Sequence, residues 1–219
     1  GILRSNVRFP DQATGDMWGQ IASLRTGANR LNQLADKYGV DTLLLAMKRL
    51  LDQGEQLANQ RLKEFPKGSW EAEDYMDDDG HGNLVKIKVK VTITDDEFIA
   101  DFTGSSPQVA SPVNTGTSSL EAAVKTVYMA MLNPELDVND GVFRPLRIIS
   151  EENSVLNCTR PAPTSTYYES MLYAIDVIWQ AMAAEFPKNL GAGHLLSVCS
   201  VVLSGKHHLS GEQFLIVHH

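Results

Sequence analysis

Three stretches of the sequence carry residue types that could do chemistry. Asp77-Asp78-Asp79-Gly80 offers carboxylate oxygens, Gly104-Ser105-Ser106-Pro107 offers hydroxyls, and the 6 histidines offer imidazoles. A calcium loop of the EF-hand type needs oxygen ligands at positions 1, 3 and 5 and glycine at position 6. Placing Gly80 at position 6 puts Tyr75 at position 1, where a tyrosine does not serve. The sequence therefore predicts a polar turn here.

The serine-containing stretch does not match a nucleophile motif. A nucleophile elbow needs a glycine two residues on either side of the serine, and neither Ser105 nor Ser106 has this pair. A loop that lines a site is the better prediction, because loops at strand ends often carry function. The candidate site-lining residues are Ser105, Ser106, Gln108, Asn114 and His194.

These residues have specific chemical capacities, although no catalytic residue is assigned. Ser105 and Ser106 could donate hydrogen bonds to a phosphate or carbonyl oxygen, as oxyanion sites do. Asn114 could orient a substrate through its amide. His194 follows a glycine-flanked bend, where a histidine either belongs to a site or caps the turn by hydrogen bonding.

The remaining motifs argue mainly against particular kinds of site. Adjacent residues of a strand point to opposite faces, so neither His207-His208 nor His218-His219 favours chelation of one ion. Cys158 and Cys199 form neither a zinc motif nor a disulfide framework. The sequence also lacks a GxxxxGK[ST] phosphate loop and a GxGxxG motif, so it shows no recognisable ATP site.

Residues 12 to 66 predict a helical hairpin. An apolar face repeats every three or four residues in its first helix, at Met17, Ile21, Leu24, Ala28, Leu31, Leu34 and Tyr38. Asp11 is the predicted cap of this helix, and Gly39 its end. Asp41 is the predicted cap of the second helix, which Pro66 stops. The short link predicts antiparallel neighbours.

From residue 84 the apolar period changes to two. Val85, Ile87, Val89, Val91 and Ile93 alternate with lysines, which predicts a strand with one solvated face. Asp95-Asp96 then turns the chain into a second alternating run, residues 98 to 102. The pair is typical of a β-hairpin.

The remaining elements complete a mixed α and β (α+β) fold. Two capping boxes, Ser118 with Glu121 and Thr166 with Glu169, predict amphipathic helices. Residues 144 to 149 predict a short strand, and residues 204 to 213 a hairpin loop into a last strand, 214 to 217. We expect a helical hairpin in residues 1–68 and an α+β segment in residues 69–219.

Composition narrows the class of protein. The chain has 219 residues, 43% hydrophobic content and a net charge of −8. A nucleic-acid surface needs clustered Lys and Arg, so the acidic balance excludes that class. No apolar run approaches the roughly 20 residues of a membrane span. Two unpaired cysteines fit a reducing compartment, so we expect a soluble cytoplasmic protein.

Several stretches, taken in order, resemble the hydantoinase B/oxoprolinase family. The opening Asn6-Val7-Arg8 with Pro10, then Gly15-Asp16 and Gln20-Ile21-Ala22, is similar to the start of a family segment. The most specific piece, Asp101 to Gln108 followed by Asn114, resembles the "D-F-x-G-S-S-P-Q … N" signature. Asn139, Gly141, Arg144-Pro145 and Pro161-Ala162-Pro163 resemble the later motifs of the same segment. The chain departs at Val109, where family members often carry glycine.

The resemblance implies a component of a larger ATP-dependent enzyme. Family subunits are much longer than this chain, so we expect an internal piece of one. The family implies ATP bound by a hydantoinase A-type partner subunit or domain, other subunits in a hetero-oligomer, and a small-molecule substrate. It also implies a divalent metal held upstream of this stretch, so no metal ligand is assigned.

Three functions stay open from the sequence. The first is ATP-dependent hydrolysis of a cyclic amide, such as a hydantoin or 5-oxoproline. The second is ATP-dependent carboxylation of a ketone such as acetone or acetophenone. The third is a non-catalytic structural or assembly portion of such a complex, with this chain alone inactive.

Overall fold

The computed structural model describes residues 1–7, 9–132, 137–188, 193, 195–198 and 201–218. It divides into two compact units, Gly1–Gln53 and Gly54–His219, with the boundary inside a long helix. The domain boundary that we predicted between residues 68 and 69 remains a prediction. The mixed α and β class is confirmed.

The first unit is helical. Helix α1 (Ile2–Asn6) precedes α2 (Pro10–Tyr38), and α3 (Val40–Glu64) begins in this unit and ends in the second. Gly39 alone separates α2 from α3; its φ of 84° lies in the left-handed region that glycine adopts without strain. The end predicted for the first helix is thus confirmed.

The two long helices exist as predicted, but their packing differs from a hairpin. Within the first unit, α2 does not pack along residues 40–53 of α3. No residue of α2 is buried, so its apolar face is open. A single residue between two helices is too short a link to fold one back against the other.

The second unit is built on a four-stranded sheet. Its strands are β1 (Gly68–Met76), β2 (Val85–Ile93), β3 (Phe98–Asp101) and β4 (Leu146–Ile149), in the order β1-β2-β3-β4. Both β1–β2 and β2–β3 pair antiparallel, whereas β3 and β4 pair parallel, with Phe98 opposite Leu146. The predicted β2–β3 hairpin and the strand near residue 146 are confirmed.

Helices α4 (Thr117–Leu132) and α5 (Tyr168–Met182) pack together and against the sheet. The alternating apolar residues of β2 are all buried, whereas Lys86, Lys88 and Lys90 remain partly or fully exposed. The end of α3 joins this core through Ala58 and Leu62. Burial on one side of the strand explains the period of two in the sequence.

Strand β1 is an element of the sheet that the sequence pattern did not reveal. Its acidic residues face the lysines of β2, since Glu71 lies opposite Lys90 and Glu73 opposite Lys88. Lys88 Nζ also lies 3.2 Å from Glu71 Oε2. Opposite charges across neighbouring strands stabilise the pairing on the exposed face. On the other face Trp70, Ala72 and Met76 pack in or against the core, but Asp74 interrupts their apolar alternation.

A separate hairpin ends the described chain. Strands β5 (Val201–Lys206) and β6 (Gln213–His218) pair antiparallel, so the loop is shorter than the predicted 204 to 213. Among the described residues, no helix is long and apolar enough to cross a membrane.

Four predicted helix caps are corrected. Asp11 and Asp41 lie in the first turns of α2 and α3, and Ser118 lies inside α4. Asp11 pairs with Arg4 at 2.6 Å instead. Tyr167 precedes α5, and the Thr166 hydroxyl donates to the Pro112 carbonyl at 2.9 Å. Sequence patterns locate helix starts only to within one or two residues.

Candidate functional site

The predicted site loop leaves the sheet at the end of β3. Gly104 has a φ of 88°, and its N–H donates to Glu151 Oε2 at 2.9 Å. Asp101 Oδ1 accepts from both the N–H and the hydroxyl of Thr103, at 2.9 and 2.6 Å. These bonds fix the turn. Its positive φ explains why a glycine stands at position 104, because glycine adopts that region without strain.

Ser105 and Ser106 fasten this loop to the edge of β2. The Ser106 hydroxyl accepts from the Lys86 N–H at 2.9 Å, and the Ser106 N–H donates to the Lys86 carbonyl. The Ser105 hydroxyl lies 3.1 Å from both the Lys88 N–H and the Lys88 carbonyl. It also lies 2.9 Å from the Phe102 carbonyl. Both serines therefore satisfy backbone groups along β2.

Asn114 organises the far end of the loop. Its side chain is fully buried and accepts from the Val109 N–H at 2.7 Å. Its Nδ2 lies 2.8 to 2.9 Å from the carbonyls of Val109, Ser111 and Pro163. An amide with both its donor and its acceptor engaged has little capacity left for a substrate.

Gln108 acts in the same way, since its Oε1 accepts from the Thr159 N–H at 2.9 Å. The fifth candidate, His194, lies outside the described residues. The structure thus places Ser105, Ser106, Gln108 and Asn114 along one hydrogen-bonded loop. Among the residues that the structure describes, none of these four lines any of the three grooves considered next.

An acidic groove of about 510 Å³ opens beside the end of β1. Asp77 and Asp78 line one side, and Glu169 and Tyr173 of α5 line the other. Partial burial raises the pKa of Tyr173, and neighbouring carboxylates, Asp74 first, raise it further. Such a groove favours a cationic group by charge.

The turn beside this groove is held by its own aspartates, which confirms the predicted polar turn. Asp78 Oδ1 accepts from the N–H groups of Gly80 and Gly82, each at 2.7 Å. A hydrogen bond from the Asn83 amide is the main cause of the lowered pKa of Asp79. These carboxylates satisfy backbone donors, as in an Asx turn.

A second groove, of about 420 Å³, lies at the start of α4. Its lining includes Gly116, Ser119, Cys158, Arg160 and Tyr167. Burial raises the pKa of the Cys158 thiol, so the reactive thiolate is disfavoured near neutral pH. The groove offers one guanidinium and several hydroxyls to a polar ligand.

A third groove, of about 390 Å³, lies between α4 and the segment that leads into β4. Lys125 and Arg144 line it together with Asp140. Lys125 Nζ lies 5.1 Å from the Phe143 ring centre, and Arg144 pairs with Glu55 at 2.6 Å. Both cations are therefore engaged within the protein.

Sequence reasoning missed the lining of these grooves because each combines short segments that are distant along the chain. Tyr173 and Asp77, for example, have no common motif. Arg160 stands directly before the Pro-Ala-Pro stretch, the one signal that could have drawn attention to it. Among the described residues, no group of three or more His, Cys, Asp or Glu side chains could hold a metal ion.

The order of motifs, the loop geometry and the fold together define the class. The hydantoinase B/oxoprolinase family model matches residues 1–218, and the chain belongs to this family. Within the family, a protein of Pseudomonas sp. strain NS671 whose name denotes the B component of a D-/L-hydantoinase is 31% identical over 209 residues. The match covers 88% of this chain and 34% of that protein.

Caprolactamase from Pseudomonas jessenii is similar in both sequence and fold. Its beta component is 25% identical over 190 residues, which cover 84% of this chain and 32% of that component. The crystal structure of the ATP-dependent caprolactamase from this organism matches with a TM-score of 0.81 at 22% identity. The match covers 98% of this chain and 41% of that one.

The nucleotide-free structure of an acetone carboxylase matches more distantly. Its TM-score is 0.74 at 14% identity, and the match covers 85% of this chain and 27% of that one. This chain thus spans about a third of the length of the hydantoinase and caprolactamase relatives that it matches.

Proposed function

We propose that the chain is a region of the hydantoinase B-like subunit of an ATP-dependent enzyme that hydrolyses a cyclic amide, of the hydantoin or 5-oxoproline type. The family match over residues 1–218 carries this proposal. Two relatives, at 31% and 25% identity, support it, because their names denote a hydantoinase and a caprolactamase. Hydantoins and caprolactam are both cyclic amides.

Amide chemistry explains why such an enzyme uses ATP. An amide carbonyl is a poor electrophile, and transfer of the terminal phosphoryl group of ATP to its oxygen releases ADP and activates the carbon. Addition of water and cleavage of the ring C–N bond, with a proton transferred to the departing nitrogen, leave an acyl phosphate. A second water molecule hydrolyses the acyl phosphate to the acid and phosphate. We infer that ATP binds in a hydantoinase A-type partner subunit or domain, and that a divalent metal binds in the parent complex outside this chain. We also infer that this hetero-oligomer is cytoplasmic.

Within that subunit, we assign the loop 104–114 to structural support. The hydroxyls of Ser105 and Ser106 bind backbone groups of Lys86 and Lys88. Asn114 is buried and bound on both sides of its amide. Oxyanion stabilisation needs donors that are free to face the substrate, and these donors face the backbone.

The structural role has a direct test in the intact complex. Ser105→Ala and Ser106→Ala should leave ADP release per assembled complex within about twofold of the parent, since twofold is roughly 0.4 kcal/mol. Sedimentation would verify assembly of each variant. A loss of turnover of about 100-fold or more with the complex intact would contradict the assignment.

Ketone carboxylation is the second candidate, and the shared fold with acetone carboxylase favours it. One experiment separates the two functions. ADP release from the purified native complex is measured with hydantoin, 5-oxoproline, acetone and acetophenone, each with and without bicarbonate. Release driven by a cyclic amide and indifferent to bicarbonate would support hydrolysis. Release that requires a ketone together with fixation of bicarbonate carbon would overturn the leading proposal.

A further inference from the structure

The groove at the start of α4 has a lining that fits an anion. Arg160 lines this groove of about 420 Å³, together with the hydroxyl-bearing side chains of Ser119, Thr159 and Tyr167. Within the described ranges, the lining includes no aspartate or glutamate, although the chain as a whole carries a net charge of −8. A positive groove in an acidic chain favours negatively charged ligands.

The Arg160 guanidinium is available to a ligand. In the part of the chain that the structure describes, Arg160 is exposed and forms no ion pair. Arg4, Arg61 and Arg144, in contrast, each pair with a carboxylate at 2.6 to 2.8 Å. A guanidinium presents its N–H donors in a planar fork that matches the oxygens of a carboxylate or a phosphate. The groove therefore contains a donor suited to such a group.

The first turn of α4 adds to the positive character of the groove. Gly116 and Ser119 line the groove, and this turn has no acidic residue. Glu121, in the next turn, pairs with Lys125 at 3.7 Å. N–H groups at a helix start lack acceptors within the helix and carry a partial positive charge. Burial raises the pKa of the Cys158 thiol, so Cys158 adds no negative charge near neutral pH.

Two residues of the loop 104–114 hold the wall that carries Arg160. Gln108 Oε1 accepts from the Thr159 N–H at 2.9 Å, directly before Arg160. The Asn114 side chain, which is fully buried, donates to the Pro163 carbonyl at 2.9 Å on the other side. This segment is thus fixed in the absence of a ligand, which lowers the entropy cost of binding.

The size and polarity of the groove favour a small molecule as its occupant over a protein segment. The core of a protein–protein contact is apolar and depleted of charged residues. Here, four lining side chains carry a hydroxyl and one carries a guanidinium: Ser119, Thr159, Thr164, Tyr167 and Arg160. A volume of about 420 Å³ lies within the range of small-molecule sites. Tyr167 is 44% exposed, so its hydroxyl and ring are accessible.

We propose that this groove binds the carboxylate or phosphate group of a small molecule, with Arg160 as the charged partner and the start of α4 as a second donor. The proposed reaction contains both groups: the carboxylate of a substrate such as 5-oxoproline, and the phosphate that ATP hydrolysis releases. The site does not depend on that reaction, because Arg160 and the hydroxyls fit either group whichever substrate the parent enzyme uses.

Hydrogen–deuterium exchange of the intact native complex, followed by mass spectrometry, measures binding at the groove itself. Inorganic phosphate and 5-oxoproline are the anionic probes, and neutral caprolactam is the control. An anion at a concentration on the order of 10 mM should slow exchange of residues 117–120 and 158–167 at least about threefold at short exchange times, with β2 unchanged. The readout is local, so binding of phosphate at the partner's ATP site does not interfere.

The probes also distinguish the two sources of the anion. Slowing by phosphate alone would assign the groove to phosphate, and slowing by 5-oxoproline alone would assign it to the substrate carboxylate. Both results support an oxyanion site. If neither anion slows exchange, or if caprolactam slows it equally, the proposal is wrong. A groove that the rest of the subunit fills would give the first of these negative results.

Two pairs of variants assign the effect to named side chains. Arg160→Gln removes the charge and should weaken binding at least about tenfold. Arg147→Gln removes the same charge from an exposed position of β4 and should leave binding unchanged. Ser119→Asp places a carboxylate in the groove and should abolish binding, although an acid in the first turn stabilises a helix. Ser119→Asn has a similar shape without the charge and should keep most of the binding. Binding that survives both Arg160→Gln and Ser119→Asp would overturn the proposal.

Discussion

At the scale of single residues, the polar side chains of the signature loop act on the backbone. The sequence identified Ser105, Ser106, Gln108 and Asn114 correctly as members of one loop. It could not show which backbone groups that loop leaves without partners, because this depends on the fold. In the structure, Lys86, Lys88 and Val109 supply those groups, and the side chains bind them.

Asn114 is the residue of this loop whose loss should cost most. Asn114→Ala removes the acceptor of the Val109 N–H and the donor to several carbonyls, all in a buried position. Groups left unsatisfied after burial cost about 1–3 kcal/mol each, so we expect a loss of about 3 kcal/mol in the free energy of unfolding. Urea unfolding measures it. Asn29→Ala, at an exposed position of α2, is the matched control and should not lower the free energy of unfolding, because alanine favours helices.

Substitution of a second buried residue, Tyr128, should raise the free energy of unfolding instead of lowering it. The Tyr128 ring packs edge-on against Phe98 at 5.4 Å, but its buried hydroxyl has no hydrogen-bond partner in the described structure. Tyr128→Phe keeps the ring contacts and removes an unsatisfied polar group. We expect stability to rise by about 1 kcal/mol. A loss of stability in thermal or urea unfolding would show that the hydroxyl is bound.

The same residue predicts a pH dependence. Burial raises the pKa of Tyr128 far above its ordinary value of 10.0. The unfolded chain therefore ionises this phenol first, and the free energy of unfolding falls as the pH rises above the ordinary value. Below that pH, Tyr128 contributes no pH dependence. Tyr128→Phe should reduce the alkaline slope, measured by urea unfolding at a series of pH values.

At the scale of elements, the sequence predicted those with a strong apolar period. β2 and α5 have such periods because one face of each packs into the core. β1 was missed because Asp74 interrupts the apolar alternation of Trp70, Ala72 and Met76 on its inward face. The packing of α2 was wrongly predicted, since an apolar face shows that a helix needs a partner without showing which one.

Gly54 lies inside helix α3 at a position where the surrounding atoms leave no room for a Cβ. A Cβ at this position of α3 would lie 2.5 Å from Asn139 Oδ1, the atom that accepts from the Gly141 N–H. Gly54→Ala should therefore destabilise the second unit by about 1 kcal/mol, although alanine favours helices by a similar amount. Gly19→Ala, with open space around its Cβ, should instead increase helix content. Circular dichroism and urea unfolding distinguish the two results.

At the scale of the whole molecule, the two units differ in how much they bury. α2 has no buried residue, whereas the core of the second unit includes fully buried residues from β2, α4 and α5. Backbone hydrogen bonds that are open to solvent exchange through low-energy local openings. We expect amides of α2 to exchange at least about 100-fold faster than those of β2, and hydrogen–deuterium exchange followed by mass spectrometry measures the difference.

The parallel pair β3–β4 has a consequence for synthesis on the ribosome. β1, β2 and β3 follow one another closely and can assemble as they emerge, but β4 is made only after α4. Until Leu146–Ile149 arrives, the outer edge of β3 offers unpaired N–H and C=O groups to any passing strand. A nascent chain stalled between α4 and β4 would therefore be the species most exposed to misassembly and to capture by chaperones.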